Sequence, residues 1–213
     1  MRKKISLLIV LMIVFASSSR VSGYAAPPFQ SEHTQAGEKT VTDRTPEHAS
    51  SSEDSGLANP EMKAIFEEDQ RVRQPPKIDW KTVNRTDAER REATKKLLSV
   101  GALHTGKDFE EAAFVFQHGD NPSDYLLAHT LAMIAVAKGD ENAIWIAAAT
   151  LDRYLQKVGQ KQIYGTQYLN NPKDGWTQEP YDRELISDTL RQNLHVPNQD
   201  DQAKQLKTLQ NQK

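Results

Sequence analysis

The run Ala143 to Leu151, AIWIAAATL, holds one polar residue, Thr150, and constrains the fold more than any other stretch. A helix apolar on every side cannot rest on a surface, so this segment is expected to be the central helix of a core. Asp140 is expected to accept from its first backbone amides and Gly159 to stop it. Asp152 then falls on the apolar face, below Trp145 and Ala148. A carboxylate placed there costs free energy unless something pairs with it. The expected partner is Arg73, brought from another helix in a bidentate pair.

The 213 residues allow one ordinary domain with extensions. The formal net charge is −2, and four of the basic residues (Arg2, Lys3, Lys4 and Arg20) lie near the N-terminus. The remainder is more acidic still, which leaves no electrostatic footprint for nucleic acid or an anionic lipid surface. There is no cysteine, so disulfides, thiolate nucleophiles and sulfur-ligated metals are excluded.

Arg2-Lys3-Lys4, the apolar run Ile5 to Ala16 and the small residues through Gly23 have the form of a secretory signal peptide, residues 1–23. About a dozen helical residues cover ~18 Å, short of the ~30 Å hydrocarbon core, so no stable membrane insertion is expected after cleavage. The protein is expected to be exported, either periplasmic or secreted. Residues 24–59 are rich in Ser, Thr, Pro and Glu and are expected to form a disordered linker. Residues 60–213 then form the domain.

Helix signals recur through that domain. Asn59-Pro60 opens a first helix with Met62, Ile65, Phe66 and Asp69 on one face, and Pro75-Pro76 closes it. Thr86 with Glu89 suggests a capping box opening a second helix. Gly101 to Asp108 resembles a phosphate-binding loop, but Asp108 stands where a hydroxyl is required and no strand precedes it. Asp108 is instead expected to cap a third helix that runs to His118, with Gly119 at its C-terminal end. Asn121-Pro122 opens a fourth helix, whose inward stripe is expected to be Leu126, His129, Met133 and Val136, with His129 a hydrogen-bonded core histidine. After the central helix, residues 162–181 carry strand and turn signals for a small β-hairpin or an ordered loop. Glu184 to Asn193 and a segment capped by Asn198 complete a mainly α fold, a single bundle of about six to seven helices. The last helix has a narrow apolar stripe, Ala203, Leu206 and Leu209, and is expected to dock loosely.

The polar motifs form a constellation. Asp69-Gln70 with Arg73, Gln117-His118, Asp152-Arg153 and Gln162-x-Tyr164-Gly165-Thr166-Gln167 together resemble the signature of a bacterial helical domain family of unknown function. The resemblance covers roughly residues 60 to 210. It implies a mostly helical fold and a shared polar site, and brings no activity with it. Asp69, Arg73, Gln117, Arg153, Gln162, Tyr164, Gly165, Thr166 and Gln167 are the candidate binding residues. His118 and Asp152 are the candidate catalytic pair.

Three functions fit this pattern. The first is an exported domain that binds a small polar ligand or a protein through the polar cluster around 162–167. The second is a hydrolase with His118 as general base, oriented by Asp152. The third is a structural or interaction protein of the cell envelope. No metal site and no cofactor is expected, and no Gly-x-Ser-x-Gly or His-Glu-x-x-His motif is present.

Overall fold

The computed structural model describes residues 56–74, 78–172 and 175–211. The expected signal peptide, most of the expected linker and the Pro75-Pro76 stop lie outside them. Among the described residues are seven helices and one two-stranded sheet. The fold is mainly α, as expected. No described helix is long and apolar enough to cross a membrane.

Helix α1, Pro60–Arg71, begins where the sequence places it, with the Asn59 side chain accepting from the amides of Glu61 and Met62. Helix α2, Trp80–Ser99, starts earlier than the Thr86 capping box suggests. Asp79 is its cap, accepting from Lys81 N, Thr82 N and the Thr82 hydroxyl. Thr86 lies inside the helix and turns its hydroxyl back onto the carbonyls of Thr82 and Val83. Helix α3, Gly106–Phe116, also starts one turn early. Thr105 and Asp108 close a reciprocal capping box, so Asp108 is the third residue of the helix rather than its cap. Asp108 also accepts from Asn59 N at 2.6 Å, which ties the start of α1 to the start of α3.

Helix α4, Pro122–Ala137, is capped by Asn121 as expected, but its inward face is only partly the expected stripe: Val136 packs against the core and Leu126 and Met133 do not. Ala128, Leu131, Ala132 and Ala135 are buried, whereas Leu126 and Met133 are 42% and 51% exposed. Small alanines win the inner position because α4 lies between α3 and α5, where only short side chains allow close approach. His129 bonds the Ala147 carbonyl at 2.9 Å, the structural role expected of it.

Helix α5, Ala143–Lys157, buries Ala143, Ile146, Ala147, Ala148, Ala149, Thr150 and Asp152. It is the apolar centre the sequence announces. Its start is bound differently. Asp140 accepts from the Asn142 amide in the turn ahead of the helix, and Asn142 makes no side-chain cap. The core is completed by Met62 from α1, Leu97 and Leu103 around α2's end, and Phe116 of α3.

The chain leaving α5 forms an irregular loop through Tyr168, then strands β1, Leu169–Asn171, and β2, Gly175–Thr177, paired antiparallel. The hairpin is shorter than the strand-like composition of 163–169 implied, because those residues point their amides at a side chain instead of a ladder. Helix α6, Asp188–Asn193, opens at Ser187, not at Glu184. Helix α7, Gln199–Gln210, is capped by Asn198. It docks through Gln202, 2% exposed, and Leu209, while Ala203 faces water. A buried amide joins Leu209 of the thin apolar stripe in fastening this last helix.

Candidate functional site

The candidate residues separate into two polar assemblies, parted by the neighbours Asp152 and Arg153 at the end of α5. In the first, Asp152 is fully buried and both of its oxygens are occupied by the returning loop. Oδ1 accepts from Ile163 N at 2.8 Å and Tyr164 N at 3.0 Å. Oδ2 accepts from Thr166 N at 3.0 Å and from the Thr166 hydroxyl at 2.8 Å. Burial holds the carboxyl above its usual range, and these four donors offset only part of that push. Asp152 is held inside by amides, as its position required, but not by Arg73.

The loop is then locked from its other side. The Gln162 side chain donates to the carbonyls of Gln167 and Gln178 and accepts from Gln167 N. Gln167 donates to the Ala149 carbonyl at 3.1 Å, stitching the loop to α5. The Tyr164 carbonyl receives the Tyr181 hydroxyl, Arg191 Nε and Gln202 Nε2. Gly165 has φ +80°, and a Cβ there would meet Gln202 Oε1 at 2.2 Å and the Tyr181 hydroxyl at 2.5 Å. Glycine is demanded twice over, by angle and by space. Gln162, Gly165, Thr166, Gln167 and the Tyr164 backbone therefore build a fastening between α5, the hairpin region and α7. Their polar atoms bond one another and the neighbouring backbone.

The second assembly lies between α1, α2 and the end of α3. Asp69, fully buried, accepts from Arg73 at 3.0 Å and lies 3.3 Å from Arg90 Nε. Arg73 reaches on to Asp87, placing one terminal nitrogen 2.7 Å from both carboxylate oxygens. Arg90 also bonds Asp87. His118 points Nδ1 at Asp69, 3.2 Å from Oδ1 and 3.1 Å from Oδ2. The catalytic pair expected from sequence, His118 with Asp152, is therefore not formed: Asp69 orients the imidazole, because Asp152 has spent its oxygens on the loop. Arg91 fixes the same corner by donating to the His118 carbonyl at 2.8 Å and to Asp120 at 2.9 Å. Just beyond, Gly119 leaves room for Asp124, whose Cβ lies 2.2 Å from where a Gly119 Cβ would stand. Close approach, not a left-handed cap, is the reason for glycine there.

Electrostatics set the protonation states. Burial pushes Asp69 upward, but His118, Arg73 and Arg90 outweigh it and hold the carboxyl below its usual range. Burial pulls His118 below the ordinary imidazole range, against the opposing pull of Asp69. A neutral ring with Nδ1–H on Asp69 presents Nε2 as an acceptor. Arg153 comes to the same neighbourhood, donating to the Gln117 carbonyl at 3.4 Å, with Arg73 and Tyr125 as charged or ionisable neighbours. The Gln117 side chain is fully buried, and neither its oxygen nor its nitrogen has a hydrogen-bond partner among the described residues. Such an amide is rare in a folded interior.

Asp69, Asp87 and His118 bring one potential metal-ligand atom each within 4.8 Å of one another. The donor set does not suit a cation, because Arg73 and Arg90 already hold the carboxylates and would lie against the ion.

Sequence reasoning missed Asp87 and Arg90. The signal was present: Val83, Asp87, Arg90, Thr94 and Leu97 recur at alternating spacings of four and three, and all are buried. Compared with family models, with curated proteins and with solved structures, the chain matches none of them.

Proposed function

We propose that this chain is an exported helical domain that binds a small polar ligand at the Asp69–His118 pair. The observation that carries the reading is the buried ionic cluster of Asp69, Arg73, Asp87 and Arg90, which fixes one neutral imidazole by its Nδ1. Buried ion pairs of this kind contribute little net stability compared with an apolar filling of the same volume. Their selective value therefore lies in what they position, which is Nε2 of His118. A ligand recognised there offers an O–H or N–H to the imidazole. The membership of residues 60–210 in the bacterial helical family, and the removal of residues 1–23 on export, belong to the same proposal.

A thermal-shift panel of small sugars, polyols, amino acids and carboxylic acids tests it. A binder is expected to raise the melting temperature of the wild type and to lose that effect in His118→Ala and Asp69→Asn. A compound that stabilises all three proteins equally would refute the site. Mass spectrometry of protein exported by a bacterial host is expected to show a chain beginning at Tyr24.

The Asp69–His118 bond also favours a second reading, hydrolysis, in which the oriented imidazole takes a proton from water. Here Asp69 replaces Asp152 as the positioning carboxylate. Release of nitrophenol from a panel of esters and glycosides, abolished in His118→Ala, is the supporting result.

A further inference from the structure

Midway along α3, the helix whose end leads to His118, sits an acidic group that the binding reading leaves unused. Glu111 is 3% exposed, and its Oε2 has no hydrogen-bond partner among the described residues. The nearest cation, Lys107 Nζ, lies 3.9 Å from Oε1 and is committed to Glu110. Asp108 and Glu110 on α3 and Glu67 on α1 all add negative potential at Glu111, and Asp140 after α4 draws on the same lysine. Lys107 also lies over the Phe66 ring of α1, 5.5 Å from its centroid. Five carboxylates and one shared lysine therefore gather where α1 leans on α3.

We propose that Glu111 is a proton-controlled latch for α1: neutral, it lets α1 rest on α3, and ionised, it drives the two helices apart. The contacts at stake are specific. Asn59 N bonds Asp108 Oδ1, Asn59 Nδ2 bonds the Ala102 carbonyl at 3.0 Å, and Phe66 stacks on Phe114 with centroids 5.6 Å apart. Losing a proton to water leaves a buried carboxylate short of donors and under the negative potential of Glu67 on α1, a cost that lifting α1 relieves. Burial raises the closed-state Glu111 carboxyl to about 7 from an ordinary 4.5. The open population accordingly climbs as pH rises from about 4.5 to about 7 and is level above that. The latch does not depend on any ligand at His118, since its readout is the docking of α1 itself.

Hydrogen exchange of backbone amides, corrected for intrinsic rates and read at pH 5.0 and 7.5, is the test. Protection across Lys63 to Arg71 is expected to drop at least about tenfold at the higher pH, while α4 and α5 hold theirs. In Glu111→Gln, which keeps the shape and removes the charge, that drop is expected to vanish. In Glu67→Gln, a milder change on the partner helix, it is expected to shrink. His118, against the far end of α1, titrates with the opposite sign and is present in all three proteins, so it cannot produce the difference between them. Equal loss of protection in every helix, no loss in α1 of the wild type, or a loss that persists in Glu111→Gln would each overturn the latch.

Discussion

At Asp152 four donors converge on two oxygens, and the arithmetic of that arrangement is unforgiving. Asp152→Asn replaces one acceptor oxygen by an NH2 that must face amides already pointing inward. The expected cost is about 2–3 kcal/mol in urea unfolding, the usual value for hydrogen bonds to a charged group left unmade. Gly165→Ala is expected to cost more, about 3–4 kcal/mol by the same measurement, because strain at φ +80° adds to displacement of Gln202 and Tyr181. A loss under 1 kcal/mol in either variant would mean the fastening is not as tight as described. The burial of Asp152 was legible because periodicity alone puts it on the apolar face. Its partners were not, because backbone amides carry no sequence signature. Arg73 pairs with Asp87 and not Asp152 for a related reason: a helix opening at Thr86 leaves Asp87 in an exposed first turn, whereas the helix that begins at Trp80 turns it inward.

Among the elements, helices announced themselves and only some of their ends did. Asn59, Asn121 and Asn198 cap where expected, since asparagine before proline or before an acidic turn has little competing use. Thr86 misled because a capping-box spacing also occurs inside helices, where threonine bonds back to a carbonyl. The two variants Asp79→Ala and Thr86→Ala distinguish these roles. The first is expected to destabilise by about 1 kcal/mol through loss of the cap, and the second to be near neutral. Equal effects in circular-dichroism melts would return the helix start to Thr86. Helix α7 teaches the complementary lesson: its apolar stripe understated its docking, because the anchor is Gln202, whose amide joins the Tyr164 and Pro197 carbonyls. A buried glutamine cannot be told from an exposed one by hydropathy.

For the whole molecule, two buried groups titrate against each other across neutral pH. Glu111 keeps its proton in the fold up to about 7 but only to 4.5 when unfolded, so its contribution to stability falls as pH rises between those values. His118 has the reverse sense. Its folded value lies below the ordinary 6.5, so the unfolded chain takes up a proton the fold refuses, and stability falls as pH drops below 6.5. Asp69 and Asp108, both held below 3.8, add a further loss only at stronger acid. The wild type is therefore expected to show a shallow stability profile between pH 5 and 7, because the two slopes cancel. Removing one partner uncovers the other. Glu111→Gln is expected to grow more stable as pH rises from 5 to 7, and His118→Gln to grow less stable, each by at most about 1.4 kcal/mol per pH unit. Urea midpoints at pH 5, 6, 7 and 8 read both slopes. Parallel profiles in the three proteins would show that neither group titrates differently in the fold, and would leave the acid limb to Asp69 and Asp108 alone.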